Sequence, residues 1–122
     1  MKPSKLKQFI QDTATQLGFS QVGISPATQN YSAGKRLNKW LNNGYHASMK
    51  WMQNRSEERS DIYKYFPEAK SVISLSTNYF TGNSDNNSIG KISNYAWGDD
   101  YHEIIKPRLY ALLNSIKSKQ PN

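Results

Sequence analysis

Only two segments of the sequence have the pattern of β-strands, and both are short. The stronger covers residues 71–77, follows Pro67, is rich in β-branched residues and partly alternates in polarity. The weaker is Gln21–Ile24, just before Pro26, which we predict to be a buried strand. Two short strands do not make a self-sufficient sheet. The sequence therefore predicts an α/β fold in which helices pack on a small, incomplete sheet.

Apolar residues recur at helical spacing on either side of these strands. One face contains Leu6, Phe9, Ile10, Ala14 and Leu17, and another contains Ile104, Ile105, Leu109, Leu112, Leu113 and Ile116. In the first helix Ser4 is the predicted cap and Gly18 the predicted left-handed end. In the last helix Pro107 removes one backbone hydrogen bond, so we expect a kink there or a helix start nearer residue 104. The tail is expected to begin at Ser118.

The middle of the chain predicts shorter elements. A second helix is expected to open at Ser32 and to stop at Asn43–Gly44, and a short third one to cover Ala47–Met52. Ser56 and Ser60 are candidate caps of short turns. Residues 81–90 are rich in Gly, Asn and Ser, which is typical of a mobile loop.

Composition narrows the function classes. The chain has 122 residues, a net charge of +7 and no Cys, so it contains no disulfide, thiol nucleophile or Cys-held metal cluster. No apolar run reaches the roughly 18 residues of a membrane helix, and no signal sequence is visible. We expect a cytoplasmic protein. Residues 1–60 hold nine Lys or Arg against three acidic residues, which favours nucleic acid as a partner, although a solubilising surface explains the charge equally well.

The densest group of polar and aromatic residues is Tyr95–Glu103. Gly98 permits a sharp turn there, and Asp100 stands where a helix begins. Asp100 and Glu103 have capping-box spacing, so a structural cap is one interpretation. The other is a carboxyl that moves a proton beside an aromatic-walled pocket, with His102 tuning it or holding a ligand.

Two further clusters have simpler interpretations. Gly44–Met52 indicates a helix break followed by Met and aromatic core packing. Arg55–Arg59 is a solvated run of charges by default, although an Arg fork there could bind a phosphate or an amide-bearing ligand. Motifs for zinc enzymes, P-loops and dinucleotide binding are absent from the sequence.

These clusters, in this order, resemble the N-terminal region of the epoxyqueuosine reductases over about residues 5–118. The most specific match is the stretch Tyr95–Gly98 with Asp100–His102. The other matching stretches are Leu17–Phe19, Val22–Ile24, Leu41 with Gly44–His46, Met49 with Trp51 and Met52, Arg59, and Pro67–Ile73.

The resemblance implies a cytoplasmic, monomeric tRNA-modifying oxidoreductase of queuosine biosynthesis. Such enzymes reduce the epoxide of epoxyqueuosine in a tRNA anticodon stem-loop, using cobalamin and two 4Fe-4S clusters. By resemblance, the proton donor falls on Asp100. The cobalamin contacts fall on Arg59, Ser93, Trp97, Asp100 and His102.

The sequence also departs from this family. Family members continue into a region that completes the cobalamin pocket and then into Cys-rich motifs that hold the clusters. This sequence has no Cys, and Pro107 is unusual in the helix that follows Asp100. We therefore expect residues 1–122 to form the N-terminal cobalamin-pocket domain of a longer reductase, and not to complete the reaction alone.

Two alternatives stay open at this point. One is a small basic RNA-binding or accessory module without catalysis. The other is part of a different corrinoid-dependent reductase with a substrate other than tRNA.

Overall fold

The computed structural model describes residues 2–80, 82 and 92–120. The predicted loop over residues 81–90 lies outside the described residues, except for Gly82. The elements are α1 (Pro3–Gln16), β1 (Gln21–Pro26), α2 (Tyr31–Asn42), α3 (Lys50–Gln53), α4 (Ser56–Ser60), α5 (Ile62–Tyr65), β2 (Ser71–Ser76), a 3-10 turn (Asn94–Ala96) and α6 (Tyr101–Lys119).

The chain divides into two compact units, Met1–Gly23 with Ser74–Asn122, and Ile24–Ile73. Strands β1 and β2 pair into a two-stranded antiparallel sheet. In the first unit the N–H of Ser20 donates to the carbonyl oxygen of Ser76 at 2.8 Å. In the second unit, the N–H of Ala27 donates to the carbonyl oxygen of Lys70 at 3.0 Å. The predicted α/β class with a small sheet is confirmed.

The first unit is organised by the turn that ends α1. Gly18 has a φ of +89°, as predicted. Its N–H donates to the carbonyl of Thr15, and the N–H of Phe19 donates to that of Ala14, both at 3.0 Å. This pair of backbone hydrogen bonds is a Schellman motif, and it turns Phe19 back onto the helix.

Phe19 thereby becomes part of the core of the first unit. It is buried with Ala14 and Leu112 of α6. Half-buried side chains pack around these three: Leu17, Val22, Leu75, Ile105 and Ile116. The apolar faces predicted for α1 and α6 therefore meet in this core.

Several predicted boundaries in this unit are wrong. Helix α1 begins at Pro3, not at a Ser4 cap, because a proline fits the first helical position and needs no N–H there. Helix α6 begins at Tyr101 because the side chain of Asp100 caps its first turn. The helix then continues through Pro107. It continues past Ser118, whose hydroxyl donates to the Ser115 carbonyl within the helix.

The second unit is built around α2. The cap of this helix is Asn30, whose side chain accepts the N–H of Ala33 at 3.0 Å, so the predicted start at Ser32 is wrong. The predicted stop is confirmed, since α2 ends before Asn43. Gly34 is buried against α4, where an added Cβ would lie 3.1 Å from the Cβ of Ser60.

The shorter predictions for this unit need correction. Helix α3 begins at Lys50 because Ala47 has a φ of +47°. Ser56 and Ser60 are the first and last residues of α4, and the residue that precedes it, Arg55, is left-handed. Met49 and Trp51, predicted to pack in a core, are 39% and 58% exposed.

Strand β1 also differs from the prediction of a buried strand. Val22 and Ile24 are half-buried and alternate with exposed residues, so the strand is covered on one face only. No helix in the described ranges combines the length and apolar character needed to cross a bilayer.

The turn at Gly18 gives a stability prediction. Gly18→Ala adds a side chain to a residue with left-handed backbone conformation, and the new Cβ would lie 3.0 Å from Nη1 of Arg108. We expect a loss of about 1–2 kcal/mol in the free energy of unfolding, because that conformation is unfavourable for L-residues. Thermal unfolding measures it, and Tm should fall by several degrees.

The matched control is Gly23→Ala in β1, where the added Cβ would meet only the Cβ of Ser74 at 4.0 Å. We expect Tm to stay constant or to rise slightly, because alanine restricts the unfolded chain. Equal losses in the two variants would contradict the role assigned to the Gly18 turn.

Candidate functional site

An aromatic cavity of about 550 Å³ lies in the first unit, beside the residues that follow β2 and the start of α6. Its apolar walls are Tyr79, Tyr95, Trp97, Tyr101, Ile104 and Ile105. Its polar groups are Thr77, Asn78, Asp99 and Arg108. A volume of this size, with mostly apolar walls and a few polar groups, is typical of a small-molecule site.

Local structure holds the aromatic walls in place. The N–H of Asn78 donates to the hydroxyl of Ser20 at 3.0 Å, which fixes the segment leaving β2. Tyr79 and Tyr95 meet edge to face, with ring centroids 6.4 Å apart. The indole N–H of Trp97 donates to the carbonyl of Ile92 at 3.0 Å. One ring contact within the wall and hydrogen bonds to neighbouring residues therefore hold Tyr79, Tyr95 and Trp97 in place.

Arg108 is the cation among the described residues that line the aromatic cavity. It is half-buried on α6, and its guanidinium lies against the Gly18 turn, where a Cβ would be 3.0 Å from Nη1 and 3.4 Å from Cζ. Asp99 lines the same cavity, but no salt bridge within the described ranges joins it to Arg108. The two charges therefore do not neutralise each other by direct contact.

Asp100 occupies the cap of α6. Its carboxylate accepts the backbone N–H of His102 at 2.9 Å, and Nδ1 of His102 lies 2.7 Å from the same oxygen. The backbone hydrogen bond, followed by the ring contact, lowers the pKa of the Asp100 carboxyl. Asp100 is exposed and is not among the described residues that line the aromatic cavity. The contacts with His102 favour the ionised form of the exposed Asp100 carboxyl.

His102 is exposed, and two neighbours fix its ring. Besides the contact with Asp100, it stacks on the ring of Tyr101, with centroids 4.1 Å apart and planes inclined by 27°. Since Tyr101 lines the aromatic cavity, His102 lies one ring away from it. The predicted tuning of Asp100 by His102 thus has a direct physical basis.

The other residues predicted to contact cobalamin are Trp97, Ser93 and Arg59. Trp97 lines the aromatic cavity. Ser93 is exposed and accepts the N–H of Ala96 in the 3-10 turn, and it is not among the lining residues. Arg59 belongs to the second unit, where its guanidinium lies 5.4 Å from the ring centre of Trp51.

Sequence reasoning missed several residues of the cavity. Tyr79 lies just beyond the predicted strand, a position where binding residues are common. Arg108 stands seven residues after Tyr101 and four after Ile104, so helical periodicity places the three on one face. That spacing could have identified Arg108 before the structure. In the described part of the chain, no three His, Asp or Glu side chains are grouped as metal ligands.

The structure is an α/β region with a ligand-sized aromatic cavity, and comparisons with known proteins specify its family. The family model described as "Epoxyqueuosine reductase QueG, DUF1730" matches residues 59–122. The chain therefore belongs to the epoxyqueuosine reductase family.

Individual relatives agree with this assignment. The chain is 38% identical to the epoxyqueuosine reductase of Cyclobacterium marinum, over 94% of this chain and 38% of that protein. It is 41% identical to the epoxyqueuosine reductase of Leadbetterella byssophila, over 90% of this chain and 36% of that protein. The solved structure of the epoxyqueuosine reductase of Streptococcus thermophilus superposes with a TM-score of 0.76 at 25% identity. The superposition covers 95% of this chain and 32% of that one. The chain thus spans about a third of the length of these relatives.

The lowered pKa of Asp100 gives a prediction for the pH dependence of stability. A carboxyl whose pKa is lower in the folded chain adds stability above its unfolded pKa, and this is lost as the pH falls through the folded pKa. Asp100→Asn should therefore be less stable than wild type at about pH 5, and the difference should shrink towards about pH 2.5. Urea unfolding at several pH values measures this. A difference that does not change with pH would contradict the ionised cap.

Proposed function

We propose that this chain forms the N-terminal part of a cytoplasmic enzyme that reduces the epoxide of epoxyqueuosine in tRNA to queuosine. One observation carries the proposal. The ten described residues that line the aromatic cavity all lie within residues 59–122, the stretch that matches the epoxyqueuosine reductase family model. The part of the chain that resembles the family most specifically is thus also the part that forms a ligand-sized cavity.

The cavity suits one part of cobalamin. A corrinoid has a flat apolar macrocycle edged with amide groups, and when bound its cobalt supplies the reducing electrons. The rings of Tyr95 and Trp97 provide apolar surface, and Asn78 and Arg108 provide partners for amides. About 550 Å³ is too small for the whole cofactor, so we propose that these residues hold one portion of it.

We propose that the iron–sulfur clusters of the enzyme lie outside these 122 residues, since the sequence contains no Cys. Residues 1–122 would contribute cofactor and substrate contacts. Turnover by this chain alone is not expected.

The reaction itself needs protons. Reduction of an epoxide to an alkene consumes two electrons and two protons, and it releases one water. We propose Asp100 as the group that delivers a proton to the epoxide oxygen, with His102 as its hydrogen-bonding partner. The lowered pKa of the exposed carboxyl opposes this role, so bound cofactor and substrate must displace water from Asp100 and raise its pKa.

We propose that tRNA is contacted partly through the excess positive charge of residues 1–60. Phosphate contacts release counterions, so tRNA affinity should fall steeply with salt concentration.

The test of Asp100 uses a full-length reductase that carries this region. Asp100→Asn retains most capping ability but removes the acid. We expect normal cobalamin content and a loss of turnover of roughly 10²-fold or more, the usual contribution of a general acid. Asp99→Asn is the control, with a much smaller loss expected. If Asp100→Asn retains its rate but melts at a lower temperature, Asp100 serves only as the helix cap.

A second test concerns Arg59, which we propose contacts the edge of the cofactor. Arg59→Ala in the full-length protein should lower the cobalamin content after gel filtration and leave cluster absorbance intact. Arg36→Ala is the matched control, since Arg36 is an exposed arginine on α2 whose Nη1 donates a long hydrogen bond of 3.4 Å to the hydroxyl of Ser32. Equal cobalamin content in both variants would limit Arg59 to its contact with Trp51.

A further inference from the structure

We infer that the start of α1 and the end of α6 together form a binding surface for the phosphate backbone of an RNA duplex. Five lysines define this surface, which we call the lysine end: Lys2, Lys5, Lys7, Lys117 and Lys119. The inference rests on the proposed function in one respect, namely that the duplex would be a stem of the RNA substrate. Its evidence is the packing and the charge of the two helices.

The packing of α1 against α6 brings these lysines to one end of the first unit. Gly18, just after α1, lies beside Arg108 in the first half of α6. Phe9, in the middle of α1, has its ring centre 5.8 Å from Nζ of Lys119 at the end of α6. The two helices therefore run antiparallel, and the start of α1 meets the end of α6.

The lysine end carries positive charge without local compensation. All five lysine side chains are exposed, and none forms a salt bridge with a carboxylate in the part of the chain that the structure describes. The carboxylate of Asp12, further along α1, accepts a hydrogen bond from the amide of Gln8 at 2.9 Å. The other described acidic residues of this unit lie around the start of α6, at the opposite end: Asp99, Asp100 and Glu103.

Helix stability accounts for only part of this charge. Lys117 and Lys119 lie in the last turn of α6, where the helix dipole favours cations. Lys2 and Lys5 lie at the start of α1, where the dipole disfavours cations and no acidic residue compensates. Because they are three residues apart, their charges also repel each other. Charges that destabilise their own helix are explained by an anionic partner.

The side chains of the lysine end favour a duplex backbone over unpaired bases. Within residues 2–9 and 114–120 the aromatic residue is Phe9, which is half-buried beneath Lys119. Single strands are held by exposed aromatic rings on which bases stack. Lysines instead contact phosphates as point charges, which positions a nucleic acid without reading its sequence.

The lysine end is also separate from the aromatic cavity. Tyr101 lines the cavity and begins α6, whereas Lys119 ends this helix. At 1.5 Å per residue, the two are about 27 Å apart along the helix axis. Binding of a stem at the lysine end can therefore be measured independently of any ligand in the cavity.

The experiment measures the affinity of the 122-residue chain for an RNA duplex of about 16 base pairs, by fluorescence anisotropy at several salt concentrations. Five phosphate contacts predict that log K falls with log salt with a slope of about −4 to −5. The comparison probes are a duplex of unrelated sequence, a single strand of equal length and vesicles that contain phosphatidylserine. We expect equal affinity for the two duplexes and weaker binding of the strand and the vesicles.

A triple variant tests the lysine end itself: Lys2→Gln, Lys5→Gln and Lys119→Gln. We expect duplex affinity to fall roughly tenfold or more, and the salt slope to become smaller by about 3. The matched control removes the same charge from three exposed lysines of the second unit: Lys35→Gln, Lys39→Gln and Lys50→Gln. We expect only a small loss of affinity in the control.

Thermal unfolding separates binding from a structural role. Lys5→Gln removes an unfavourable charge from the start of α1, so Tm should stay constant or rise while duplex affinity falls. A fall in Tm that accounts for the lost affinity would assign Lys5 a structural role and would contradict the inference.

The remaining outcomes are equally distinct. Equal losses in the two triple variants would overturn the inference, because net charge alone would then explain binding. Tighter binding of the single strand or of the vesicles would overturn it by assigning the lysine end to another partner. Turnover is not measured in these experiments, so their failure leaves the proposed reductase function standing. Loss of that function with intact duplex binding would contradict the reductase proposal alone.

Discussion

The first unit depends on the pair of hydrogen bonds that closes α1. They require a left-handed residue at Gly18, and they bring Phe19 back against Ala14 and Leu112. The same glycine leaves space for the guanidinium of Arg108. A single backbone turn thus joins the core to the polar end of the aromatic cavity.

Sequence patterns predicted the elements of this chain better than their ends. The apolar faces of α1 and α6 and the strand at 71–76 follow from periodicity, because burial imposes it. The errors lie at helix starts, where alternatives compete over one or two residues. Helix α1 begins at Pro3 without a side-chain cap, and Asn30 caps α2 in place of Ser32.

The candidate site was predicted in part, since the stretch around Trp97 was identified and the cavity it lines was not. Tyr79 follows β2 and Arg108 belongs to α6, and only the folded chain brings them together. Asp100 illustrates the opposite limit. Capping spacing and the family resemblance coincide at Asp100, and the His102 contacts lower the pKa of its carboxyl, an effect that spacing alone does not reveal.

The exposure of apolar side chains has a thermodynamic consequence. In the described ranges five hydrophobic residues are buried, whereas seventeen large ones are exposed. Unfolding therefore adds little apolar surface to what water already contacts, and both the heat capacity change and the denaturant m-value scale with that added surface. The stability curve of this chain should be flat in temperature, and its denaturant transition broad for a protein of 122 residues.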